Sequence, residues 1–146
     1  MFAVLAALLL AAAPAQPANT WKGKLCAADP TSGVLVGSDI YYTQGAAQVW
    51  TIGADRLAPI DLGKLVQAKA RPFYVNNQAV ALNGAKFQRY GLPRVLSAGE
   101  LDPRPWATFE GMPFYHERDP MFSEINVVYL LTQAVGCEFQ PYAKVR

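Results

Sequence analysis

Turn-forming residues interrupt this chain at short intervals, and the runs between them suit strands better than long helices. Asn83-Gly84 is the strongest of these signals, because a tight hairpin turn needs two residues that accept positive φ. Strands are expected on either side of it, at 78–82 and 85–90. Asn76-Asn77 predicts a second tight turn, which makes 73–75 the first strand of a three-stranded meander. Upstream, the cluster Asp29-Pro30-Thr31-Ser32-Gly33 separates a strand over 21–26 from one over 34–42. In the first of these, Trp21, Gly23 and Leu25 share a face. Gln44-Gly45 then turns the chain into a strand over 47–52. Residues 91–118 are punctuated by Pro93, Pro103, Pro105 and Pro113, so only short edge strands are expected there, at 94–96, 107–109 and 114–116.

Two helices are expected against this β-rich background. Asp61 is placed to cap a short one over 62–69, with Leu62, Leu65, Val66 and the stem of Lys69 at helical spacing. A C-terminal helix over 120–135 has Asp119 as its cap, Pro120 in its first turn and Gly136 just past its end. Val127-Val128-Tyr129 favour a strand and form the competing reading. A last strand follows at 137–145. The expected class is α+β and β-rich: an antiparallel meander or small barrel-like sheet with these two helices packed on it.

The first 18 residues carry no charged side chain, and residues 2–13 form one apolar block. That block fits the central region of a secretion signal and is too short to span a bilayer. Ala13-Pro14-Ala15 is a small-residue cleavage pattern, and Ala18 offers a second cut. The expectation is a signal peptide over 1–18, cleaved after Ala15 or Ala18, and one globular domain over 19–146. An exported chain meets an oxidising compartment, so Cys26 and Cys137 are expected to pair. The protein would then reside in the periplasm or outside the cell. Its bias toward Ala and Pro suggests a bacterial source.

Composition excludes more functions than it suggests. Charged residues make up 16% of the chain and the formal net charge is +2, with no run of basic residues. No nucleic-acid partner is expected, and no cofactor, since nucleotide-binding glycine motifs are absent. One histidine and two distant cysteines supply no ligand pair at zinc spacing, so no metal is expected. The lone histidine lies in His116-Glu117-Arg118-Asp119. A histidine beside carboxylates can serve as a general base, which makes His116, Glu117 and Asp119 the catalytic candidates. Aromatic residues offer a different surface: Trp21, Tyr41, Tyr42, Trp50 and Trp106 are candidate contacts for a sugar ring or a partner protein. Tyr41 and Tyr42 must point to opposite faces of their strand. The leading expectation is an exported, non-enzymatic envelope or secreted protein that binds a ligand or an envelope protein. The alternative is a small hydrolase centred on His116.

Overall fold

The structure is a computed structural model that describes residues 15–52, 57–65, 67–120 and 123–146. The expected signal lies, up to residue 14, outside the described residues.

Two antiparallel sheets make up the fold. The first is a four-stranded meander of β1 (Trp21–Ala28), β2 (Leu35–Tyr42), β3 (Val49–Ile52) and β4 (Leu57–Ile60). The second is built from β5 (Val80–Leu82), β6 (Ala85–Arg89), β7 (Arg94–Val95), β8 (Ala107–Phe109), β9 (Met112–Tyr115), β10 (Val127–Gln133) and β11 (Glu138–Lys144). Its strand order is β5-β6-β11-β10-β9-β8, with β7 pairing beside β6 on the same edge of β11. Its end strands β5 and β8 come together, so the sheet curls into a nearly closed barrel. The Asn83 side-chain amide donates to the Trp106 carbonyl at 3.1 Å across that seam.

Alternation along each strand separates two cores. Val128 and Leu130 of β10 face inward with Met112, Phe114, Phe87 and Tyr142. Tyr129 faces the other way and packs with Tyr115, Phe139, Leu101, Leu35 and the two cysteines. A third cluster, around Leu25, Ile40 and Val49, lies on one face of the meander, under Ile60, Leu62 and Leu65.

The chain joins its two sheets through β1. Cys26 donates its backbone N–H to the Ala134 carbonyl at 2.9 Å, and Gly136 donates to Lys24 at 2.8 Å. Beside these bonds a disulfide links Cys26 to Cys137 with Cα atoms 5.0 Å apart, closing 111 residues. This is the pairing expected from the sequence.

Pro141 sits inside the central strand β11, where proline is rare. In a strand, the N and carbonyl O of one residue point to the same side. The Pro141 carbonyl accepts from Tyr90, so its missing donor faces the junction of β6 and β7. There the chain leaves the ladder through Gly91, at φ +68°, and Gln140 of β11 donates its side-chain amide to the Gly91 carbonyl at 3.1 Å. The buried amide thus replaces a ladder bond that proline cannot make.

The helical expectations fail in instructive ways. The C-terminal helix over 120–135 does not form. Residues 127–133 are strand β10, and Met121 and Phe122 lie outside the described residues. β9 and β11 offer this segment hydrogen-bonding partners on both sides, and its β-branched run alternates between two cores. Gly136 does adopt positive φ (87°), as does Cys137 (55°), but they make the turn into β11 and not a helix end. The short helix over 62–69 is likewise replaced by two 3-10 turns, Leu62–Lys64 and Ala68–Ala70. Asp61 does cap the first, its carboxylate accepting from the Gly63 N–H at 2.9 Å. The single α-helical turn among the described residues is α1 (Pro72–Val75), where a strand was expected. Pro72 supplies a preset φ at its start. Phe73 drops from it into the barrel and meets Phe109 edge-on at 5.2 Å. The expected three-stranded meander is therefore the β5–β6 hairpin with a helical turn before it.

Candidate functional site

Two places in the fold gather the residue types that carry chemistry. The first is the face of the meander opposite its buried cluster. Tyr41 lies directly across β2 and β3 from Trp50, Trp50 across β3 and β4 from Pro59, and Lys22 across β1 and β2 from Tyr41. Lys22, Tyr41, Trp50 and Pro59 thus form one cross-strand row. Cross-strand neighbours stand about 5 Å apart at Cβ, so the two aromatic residues project from adjoining positions of the same face. Tyr41 and Trp50 are only partly buried and belong to none of the three cores. Lys24 and Asp39 form an ion pair one row further along the same face. The N–H donors of Lys24 favour the ionised form of Asp39, holding its carboxyl below the usual range.

The other candidate aromatics go elsewhere. Trp21 and Tyr42 stand on the opposite face, ring centroids 6.2 Å apart, and a Cβ on Gly23 would come within 2.7 Å of the Tyr42 ring. Glycine at 23 is what lets Tyr42 lie down over β1. Trp106 packs edge-on against Phe87 at 5.6 Å, as part of the barrel wall.

The second place is a surface cleft of about 270 Å³ lined by His116, Glu117, Glu124, Asn126 and Tyr129. The Tyr129 hydroxyl donates to Glu117 Oε1 at 3.2 Å and accepts from Arg94 Nη1 at 3.3 Å. Burial raises the Tyr129 pKa, and the Glu117 charge raises it further. His116 Nδ1 lies 2.6 Å from the Glu117 carbonyl oxygen. A carbonyl can only accept, so this contact requires the proton on Nδ1 and leaves Nε2 free to accept one. Main-chain bonds hold the strip in place: Asp102 donates to the His116 carbonyl at 2.9 Å and Arg118 to the Glu100 carbonyl at 3.1 Å. Asp119 does not line this cleft. It lies in a neighbouring one with Arg94, Glu100 and Arg118. The three expected catalytic residues are therefore split, and Glu117 borders both clefts.

Sequence reasoning missed Tyr129 and Arg94. Tyr129 lay inside a supposed helix, and the partner of Arg94 is 35 positions away. Among the described residues no group of three or more His, Cys, Asp or Glu is placed to hold a metal ion. No described helix is long and apolar enough to cross a membrane. Comparison with protein-family models, with curated proteins and with solved structures finds no match to this chain.

Proposed function

We propose that this chain is an exported binding protein that recognises its ligand on the open face of the meander. In this reading residues 1–18 are a signal removed after Ala15 or Ala18. Residues 19–146 are one domain that works in the periplasm or outside a bacterial cell without catalysing a reaction. The apolar leader and the Cys26–Cys137 bond support export. The observation that carries the binding role is the row Lys22–Tyr41–Trp50–Pro59, which holds two cross-strand aromatic residues that belong to none of the three cores. Ring faces carry partial negative charge and attract the polarised C–H groups on the flat side of a sugar. Lys22, Lys24 and Asp39 flank them as hydrogen-bonding groups. A saccharide is the ligand class that matches this mix. Screening the protein on a panel of bacterial and host glycans tests it. Trp50→Ala and Tyr41→Ala should each weaken binding by about tenfold or more, the scale of a central aromatic contact. Binding unchanged in both variants refutes the assignment.

A second reading rests on His116. His116 lines a cleft with Glu117 and Tyr129, and its Nδ1 contact with the Glu117 carbonyl leaves Nε2 as the proton acceptor that a general base needs. It predicts turnover of small ester or amide substrates. His116→Ala should then abolish that turnover while the melting temperature stays nearly unchanged. Turnover equal in the two proteins eliminates this reading.

A further inference from the structure

The face that carries Tyr41 and Trp50 does not stay open along the whole of β1 and β2. Alternate residues of a strand share a face. On β2 these are Tyr41, Asp39 and Gly37, and opposite them on β1 stand Lys22, Lys24 and Cys26. Successive rows are two residues apart, about 7 Å along an antiparallel strand. At the third row the face is closed. Cys26 is bonded to Cys137, and a Cβ built on Gly37 would come within 2.9 Å of the Ala98 Cβ. Glycine at 37 thus lets the 3-10 turn Ala98–Glu100 rest directly on β2. The turn is held from behind. Ser97 donates its backbone N–H and its hydroxyl to Glu100 Oε2 at 2.6 and 3.2 Å, and Arg118 Nε donates to the Gly99 carbonyl at 3.1 Å.

Against this wall lies a cleft of about 310 Å³, lined by Lys24, Gly37, Asp39, Ser97, Ala98 and Gly99. Lys24 and Asp39 are its only charged side chains, and they neutralise each other as an ion pair. Their side chains are 71% and 49% exposed, so the pair is within reach of a ligand. It uses one ammonium proton and Asp39 Oδ1. Further N–H donors on Lys24 and Oδ2 of Asp39 have no hydrogen-bond partner among the described residues.

We infer that this cleft receives the terminal unit of a neutral oligosaccharide whose following unit stacks on Tyr41 and Trp50. The inference rests on the saccharide reading and adds to it a direction, a charge and an end. The sugar chain runs along the strands from the aromatic row, passes over Lys24 and Asp39, and stops at Ala98. A side-by-side ammonium and carboxylate suit neighbouring hydroxyls, which accept from the one and donate to the other. A uronic acid would set its own carboxylate against Asp39, with no unpaired cation in the cleft to offset it. The interior of a long chain does not fit, because the Ala98–Glu100 turn lies across its path. Since the wall is fastened by its own hydrogen bonds, little ordering cost falls on binding.

Titration calorimetry tests it, with soluble oligosaccharides from dimer to hexamer prepared from cellulose, starch, chitin and mannan, and with oligogalacturonates as the acidic series. Wild type should bind at least one neutral series about tenfold more tightly than the acidic one. D39A and K24A should each lose about tenfold on that series, the scale of one hydrogen bond to a charged group. At equal sugar mass, partial hydrolysis of the parent polymer should raise its power to compete in proportion to the chain ends created. Both substitutions change exposed side chains, so circular dichroism should report unchanged folding. If D39A and K24A bind like wild type while W50A does not, the inference falls and the saccharide reading stands. Equal competition by intact and hydrolysed polymer, or tighter binding of the acidic series, has the same consequence. If wild type binds neither the neutral nor the acidic series, the inference falls together with the saccharide reading.

Discussion

Single side chains set much of the pH behaviour of this molecule. Tyr115, Tyr129 and Tyr142 are all buried, and burial pushes each phenol above the ordinary tyrosine range. Tyr115 also spends its proton on the Gly33 carbonyl at 2.6 Å, tying the Asp29–Gly33 turn to β9. In the unfolded chain these groups lose protons near pH ~10. Above that pH the unfolded state binds fewer protons than the folded state, so stability is fully present below it and falls as pH rises. Each tyrosine contributes a slope of at most ~1.4 kcal/mol per pH unit. Urea unfolding measured at a series of alkaline pH values should therefore show a falling midpoint that Tyr115→Phe makes shallower. A midpoint that stays level well past pH ~10 contradicts the burial of these rings. Residue-scale features were the most legible in the sequence. Asn77 and Asn83 do take positive φ (51° and 47°), because that preference is carried by the residue itself. The opposite orientation of Tyr41 and Tyr42 followed from strand geometry alone. Which of the two joins a core did not, since it depends on where Ile60, Leu62 and Leu65 settle.

At the level of elements, legibility follows whether the signal is local. Strands β2, β5, β6, β8 and β11 lie where turn chemistry and alternation placed them, within a few residues. The segment 127–133 carried contradictory signals: helix-like ends from Asp119, Pro120 and Gly136, and a β-preferring middle. Tertiary pairing decided it, because β10 is held by β9 on one side and β11 on the other. No reading of 120–135 in isolation contains those partners. β4 was missed for a related reason. Leu57–Ile60 is a short edge strand containing Pro59, and only its register with Val49–Ile52 identifies it. That omission mattered for function, since Pro59 completes the row beside Trp50. Pro72–Val75 read as a strand because Phe73-Tyr74-Val75 have β preference, while its actual role is to seat Phe73 in the barrel.

For the whole molecule, the account rests on one covalent link between two sheets. Leu25 and Val135 form a lone bridge between β1 and the β10–β11 turn, and the Cys26–Cys137 bond locks it. Cys26 lies on the same face of the meander as Tyr41 and Trp50, so the bond ties one end of that face to the barrel while the two half-buried aromatic residues stand further along it. The sequence allowed the pairing to be expected, yet it gave no hint that the bond would sit between two sheets. A loop of 111 residues stabilises the folded state by roughly 5 kcal/mol in the chain-entropy model. The most direct test is urea unfolding of the oxidised protein, of the reduced and alkylated protein, and of C26S/C137S, with thiol titration of the native state. The account predicts no reactive thiol in the native protein and a loss of several kcal/mol in both bond-free forms. Two titratable thiols in the native oxidised protein, or equal stability with and without the bond, would contradict it.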